Sequence, residues 1–172
     1  MRPNRDMPLD LARLYDDHAP TLFAFLLNVT RNETETRDVM QEAFARLAAR
    51  PERFGGVRDE RGFLLRLAHN LAIDQTRRRT AHANAIERAA HEPTELFEKA
   101  PDPDTKAFQK AVASAMEELP EDQRAVVHLK IWEELTFVEI AETLGIPANT
   151  AASRYRYALD KLEALLRPLC EP

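Results

Sequence analysis

The chain has 172 residues, 44% hydrophobic and 31% charged, with a net charge of −5. That suffices for one helical domain or two small ones with ordinary cores, without the overall basicity that would announce a nucleic-acid binder. Four glycines and few β-branched runs predict an all-α fold, and the single cysteine, Cys170, excludes an internal disulfide or a cysteine-cluster zinc site.

Charge distribution is more informative than its total. Arg61 to Thr80 carries +4, and Glu117 to Glu142 carries −6. The opening MRPNRDMPLD lacks the apolar core of a signal peptide, and no apolar run approaches the ~18 residues of a membrane span. A cytoplasmic protein with no membrane insertion is expected.

In chain order, residues 1–8 are polar, contain two prolines and are expected to be disordered. Leu9 to His18 predicts a short helix, with Leu11, Leu14 and Tyr15 on one side. Pro20 suits the first turn of a second helix, TLFAFLLNVT, apolar nearly all round and therefore central to a core. Asn32 followed by Glu35 resembles a capping box opening a helix to about Ala49. Its expected buried stripe is Val39, Met40, Ala43, Phe44 and Leu47. Asp38, Gln41, Glu42 and Arg46 fall outside that stripe.

PERFGGVRDERG breaks the pattern before FLLRLAHNLAIDQTRRR. There Phe63, Leu64, Leu67, Leu71 and Ile73 form an apolar side, with Arg66, Asn70, Asp74 and Arg77, Arg78 and Arg79 opposite. His69-Asn70 is a weak point for helicity and marks a possible short loop. The arginine triplet fits either a helix C-terminus or a phosphate clamp. From 81 to 106, prolines among acids predict a flexible linker with a transient helix around Ala85 to Ala90. A relaxed coil of that length reaches roughly 25–30 Å.

A second helical domain is expected from 107 to 168, with 169–172 as a tail. In AFQKAVASAMEELP, Phe108, Val112, Ala115 and Leu119 keep a 4-3-4 rhythm. Pro120 starts another helix in which Val126, Val127, Leu129, Ile131 and Trp132 are expected to face inward. TFVEIAETLGIPANTAASRYRYALDKLEALL then reads as a helix-turn-helix. Ile140, Ala141 and Leu144 line its first helix, and Gly145 adopts the left-handed C-cap without steric penalty. Asn149 or Thr150 caps the second helix, whose Ala151, Tyr155, Ala158, Leu162 and Leu165 face inward. Asn149, Ser153, Arg154, Arg156 and Tyr157 are expected to face outward, ready to donate hydrogen bonds into a DNA major groove.

No catalytic constellation emerges. The five histidines have no metal-ligand spacing, and there is no glycine-rich phosphate loop or serine elbow. No enzyme activity, cofactor or metal is expected.

Three stretches together resemble the extracytoplasmic-function (ECF) sigma factors of the sigma-70 family. DVMQEAFARL (38–47) resembles the region-2 helix that binds core RNA polymerase. GFLLRLAHNLAIDQTRRR (62–79) resembles the segment that melts and reads the −10 element. LPEDQRAVVHLKIWEELTFVEIAETLGIPANTAASRYRYALDKL (119–162) resembles region 4 with its −35-reading helix-turn-helix. The resemblance implies region 2 over 9–80 and region 4 over 107–168. It implies that Asp38, Gln41, Glu42 and Phe44 meet the coiled coil of the largest subunit of a bacterial RNA polymerase core, with the flap as a further polymerase contact. It places Asn70 where a loop captures an unstacked −10 base, with Arg66, Asp74 and Arg77 to Arg79 on the DNA-facing segment. Thr150, Ser153 and Arg154 match positions that meet the −35 element, and an anti-sigma factor is an implied partner. Four departures stand out: Phe63 replaces a usual Trp, Asn149-Thr150-Ala151 replaces Gly-Thr-Val, and Ala152 and Tyr157 replace basic residues.

Two other functions fit parts of the pattern. One is an autonomous helix-turn-helix repressor, which would need a dimer face and a ligand pocket. The other is a sigma mimic that binds no DNA and titrates an anti-sigma factor.

Overall fold

The computed structural model describes residues 9–83 and 103–170. The chain divides into two compact units, Met1–His91 and Glu92–Pro172, and all regular elements among the described residues are helical.

Unit 1 holds α1 (Leu11–Thr30), α2 (Glu33–Ala49), a 3-10 turn (Pro51–Phe54) and α3 (Glu60–Ala83). Each α-helix packs on the other two. The two helices expected before Thr30 are one. Pro20 lies inside α1, where it withdraws one backbone hydrogen bond. Pro20 and Asp16 both face solvent, so the carbonyl freed four residues back meets water. Leu14, Leu22, Phe25 and Leu26, buried on both sides of the proline, keep the helix continuous through it. Asn32 caps α2, its side chain accepting from the Glu35 N–H at 3.0 Å, but its own N–H donates to Thr30 Oγ1 at 3.3 Å, so the reciprocal half of the expected capping box is not formed. Phe44, expected in the α2 core stripe, is only half-buried, and Thr36 is fully buried instead.

The possible loop at His69-Asn70 is absent: α3 continues through both residues. Leu64, Leu65, Ala68, Leu71 and Ala72 are buried along one side, and that continuous burial outweighs the modest helix propensity of His and Asn.

Unit 2 holds α4 (Pro103–Glu117), α5 (Glu121–Ile131), α6 (Phe137–Leu144) and α7 (Ala148–Cys170). Its core gathers Met116, Leu119, Val127, Ala158 and Leu162, with Val112, Tyr155 and Leu166 packed against them. Arg124 is buried and donates to the Leu119 carbonyl at 3.1 Å and to that of Glu117, the last residue of α4, at 3.5 Å, so a cation meets the end of that helix and the turn after it. Phe108, Ile131 and Trp132 are exposed rather than inward-facing. The chain emerges from the core at the last turn of α5, and Leu135 fills the space from the following turn. Leu165 is likewise exposed, with Leu166 in its place.

Both ends of the expected linker are helical, since α3 runs to Ala83 and α4 starts at Pro103. Its middle, with the helix expected at 85–90, lies outside the described residues, as do residues 1–8.

Candidate polymerase and promoter interfaces

The first candidate surface is on α2. Asp38, Gln41 and Glu42 are exposed, and Glu42 pairs with Arg46 at 2.6 Å. Arg37, Gln41 and Phe44 recur at four and three residues, so they line one wall of an open groove of about 660 Å³. Tyr15, Pro20 and Phe23 of α1 form the other wall. The Tyr15 and Phe44 rings meet edge to face at 5.1 Å, and the Arg37 guanidinium lies 5.5 Å from the Phe23 ring. Phe44 thus touches α1 through Tyr15 and also lines the groove.

The second surface is on α3. Arg66, Asn70, Asp74 and Arg77 are all exposed, and their spacing of four, four and three places them in a single stripe. Asn70 stands mid-helix in this stripe, not on a loop. Arg78 flanks it. At about 100° per residue, Arg79 is carried to the far side of the helix. There it pairs with Glu35 of α2. Phe63 is half-buried and packs edge to face on Phe54 at 5.3 Å.

The start of α3 is tied to α1. Arg13 donates to both oxygens of Glu60, at 3.0 and 2.7 Å, and His18 Nε2 is 3.5 Å from the same carboxylate. The bond from Arg13 outweighs desolvation and holds the Glu60 carboxyl below its ordinary value of 4.5.

The third surface is the helix-turn-helix. Thr136 and Glu139 form a reciprocal capping box at the start of α6. Gly145 ends α6 at φ 67°, and its N–H donates to the Ala141 carbonyl. Helix α7 begins at Ala148, so Asn149 and Thr150 lie in its first turn and the Pro147 carbonyl accepts its first backbone bonds. Phe137 packs on Tyr155 at 5.7 Å, bracing α7 against α6.

Ala151, Ala158 and Leu162 turn inward, leaving Asn149, Arg156 and Tyr157 exposed and Thr150 and Ser153 half-exposed. Arg156 lies over the Tyr157 ring at 5.1 Å. Arg154 differs from the expectation. It sits at the margin of this face, 30% exposed, with Nε 3.0 Å from Asp122 Oδ2 on α5.

Asp122 and Glu35 are the two site neighbours that sequence reasoning missed. Their partners lie 32 and 44 residues away, and no periodicity within one helix reports a pairing between helices. Among the described residues no cluster of three His, Cys, Asp or Glu side chains is placed to hold a metal ion, and no helix is long and apolar enough to cross a membrane.

Known families and proteins are similar to both halves of this chain. The family model described as Sigma-70 region 2 matches residues 14–82, and that described as Sigma-70, region 4 matches residues 115–164. The chain is 30% identical to the ECF RNA polymerase sigma factor SigL of Mycobacterium tuberculosis, over 91% of this chain and 88% of the relative. It is 26% identical to SigW of Bacillus subtilis, over 96% and 92% of the two chains. Among solved structures, the sigma factor RpoE of Bartonella quintana, in complex with the anti-sigma factor NepR, has the same fold. The TM-score is 0.71 at 22% identity, over 92% of this chain and 97% of that one. CnrH, in complex with the cytosolic domain of CnrY, superposes with a TM-score of 0.64 at 23% identity, over 92% of this chain and 88% of that one. With regions 2 and 4 matched in order and such a relative aligned along nearly its whole length, the protein belongs to the ECF RNA polymerase sigma factors of the sigma-70 family.

Proposed function

We propose that this ECF sigma factor divides promoter recognition between its two units, with no catalytic step of its own. Region 2, over 9–80, binds core polymerase through Asp38, Gln41, Glu42 and Phe44 and holds the −10 strand open. Region 4, over 107–168, reads the −35 duplex through Asn149, Thr150, Ser153, Arg154, Arg156 and Tyr157. The observation that carries this reading is the pair of exposed polar stripes, one on α3 and one on α7, each backed by its own buried face.

The chemistry of the two stripes differs in the required sense. On α3, Asn70 supplies a paired donor and acceptor that suits a base extruded from the stack, with Arg66 and Arg77 on either side for phosphates. On α7, an arginine and short hydroxyl and amide side chains suit the edges of paired bases in a major groove. Phe44 and Gln41, on the groove wall next to exposed Asp38 and Glu42, combine an apolar anchor with a polar rim, as a protein interface needs.

The protein acts in the cytoplasm, and free of polymerase it binds promoter DNA poorly, since its net charge is −5 and polymerase supplies the effective concentration. A protein antagonist is part of the reading, because the superposed sigma factor RpoE is in complex with an anti-sigma factor. Transcription in vitro with core polymerase over a promoter library tests it. Enrichment of a paired −35 and −10 signature is expected; a tight complex of free protein with a duplex operator at physiological salt, and no transcription, overturns it.

A further inference from the structure

Asp122 is fixed at both oxygens. Oδ1 accepts from the Gln123 backbone N–H at 2.9 Å, and Oδ2 lies 3.0 Å from Arg154 Nε. The carboxylate sits in the first turn of α5, where the helix dipole favours negative charge. Its position is therefore set by the backbone, and through it so is the base of the Arg154 guanidinium.

Two consequences follow for an arginine at the edge of a recognition helix. A guanidinium held at Nε keeps its terminal nitrogens as the donor pair that matches O6 and N7 of guanine, and it has less rotamer freedom left to lose on binding. Its charge is also partly offset by the carboxylate, which weakens attraction to phosphates, the contact that carries no sequence information. Both effects favour discrimination over general affinity. Arg156 makes the contrast on the same helix: it is exposed over Tyr157 and has no carboxylate partner among the described residues.

We propose that Asp122 is a positioning residue for −35 recognition, holding Arg154 for base reading and away from the phosphates. The inference rests on the assignment of α7 as the −35 reader.

The test uses full-length protein assembled with core polymerase, on promoters substituted base by base in the −35 element. The variants are Asp122→Ala, Asp122→Asn, Arg154→Ala and the double variant Asp122→Ala/Arg154→Ala. Asp122→Ala is expected to lower discrimination at one −35 position by about fivefold. Binding to the substituted promoters is retained or tightened, and its salt dependence becomes steeper, as for one additional phosphate contact. Asp122→Asn keeps the turn but loses the charge and gives a smaller loss, which preserves the test if the alanine variant folds poorly. In the Arg154→Ala background, Asp122→Ala changes base preference no further. If Arg154→Ala erases discrimination at that position while both Asp122 variants retain it, the positioning role is overturned and the −35 reading stands. If Arg154→Ala leaves every −35 preference intact, Arg154 is no base reader and the positioning role falls with it, while the other residues of α7 can still read the element.

Discussion

Helices α3 and α7 present comparable polar stripes but manage their arginines in opposite ways. On α3 the stripe residues Arg66, Asn70 and Arg77 stand clear, and the arginine tied to a neighbouring helix is Arg79, which points away from them. On α7 the arginine tied to a neighbour is Arg154, at the margin of the proposed reading face itself. Three consecutive arginines thus have unequal surroundings, because helical phase and the carboxylates of adjacent helices decide which guanidinium is available. Residue type alone does not.

The outward stripe of α3 exists because Leu65, fully buried, fixes which side faces in. Leu65→Ala is expected to cost about 2–5 kcal/mol in urea unfolding of unit 1, by lost burial plus a cavity. A cost within about 0.5 kcal/mol, the range for a surface substitution, would contradict the packing described.

Next in size is core binding, which separates unit 1 from unit 2. Gln41→Ala with Glu42→Ala is expected to weaken association with core polymerase by roughly tenfold, about 1.4 kcal/mol, with the thermal midpoint nearly unmoved because both side chains are exposed. Unchanged affinity in a titration against core would remove α2 from the interface.

A sharper probe sets Arg77 against Arg79. Arg79→Ala loses its pairing with Glu35 and is expected to cost below about 1 kcal/mol of stability, with little effect on DNA. Arg77→Ala is expected to leave stability alone and to reduce the salt slope of promoter binding by about one. Identical behaviour of the two variants in melting and in salt titrations would defeat the argument from helical phase.

The smallest expected effect is at Glu60. Its carboxyl is held below 4.5 in the fold by Arg13, so the pairing adds stability above that pH and loses it as pH falls through the lowered value. Wild type and Glu60→Gln should therefore differ slightly at neutral pH and converge on acidification, the gap being small because both side chains are partly exposed. A gap that widens in acid would give the wrong sign for this carboxylate.

The sequence revealed what depends on local chemistry. The Asn32 cap, the Gly145 turn and the inward Ile140, Ala141, Leu144, Ala151 and Ala158 all follow from spacing and from residues with restricted conformational uses. What it hid depends on neighbours. Pro20 reads as a boundary until the burial on both sides of it is known. His69-Asn70 looks weak only in isolation. Ile131 and Trp132 continue an apolar pattern past the point where the core ends, and Phe44 lies where α1 leaves a groove. The Arg154–Asp122 and Arg79–Glu35 pairs join residues distant in sequence, which no helical period connects. The candidate surfaces were thus legible as lists of residues, and their working arrangement was not.

One experiment asks directly whether the two units read different promoter elements. Transcription is measured with wild type, Asn70→Ala and Arg154→Ala on promoters substituted singly in the −10 and −35 elements. Asn70→Ala is expected to relax preference at one −10 position by roughly 1–3 kcal/mol and to leave −35 dependence intact. Arg154→Ala is expected to lower transcription from the intact promoter, with a smaller loss where the −35 element is already substituted. If Asn70→Ala instead alters sensitivity to −35 substitutions and spares the −10 element, the assignment of readers to units is contradicted.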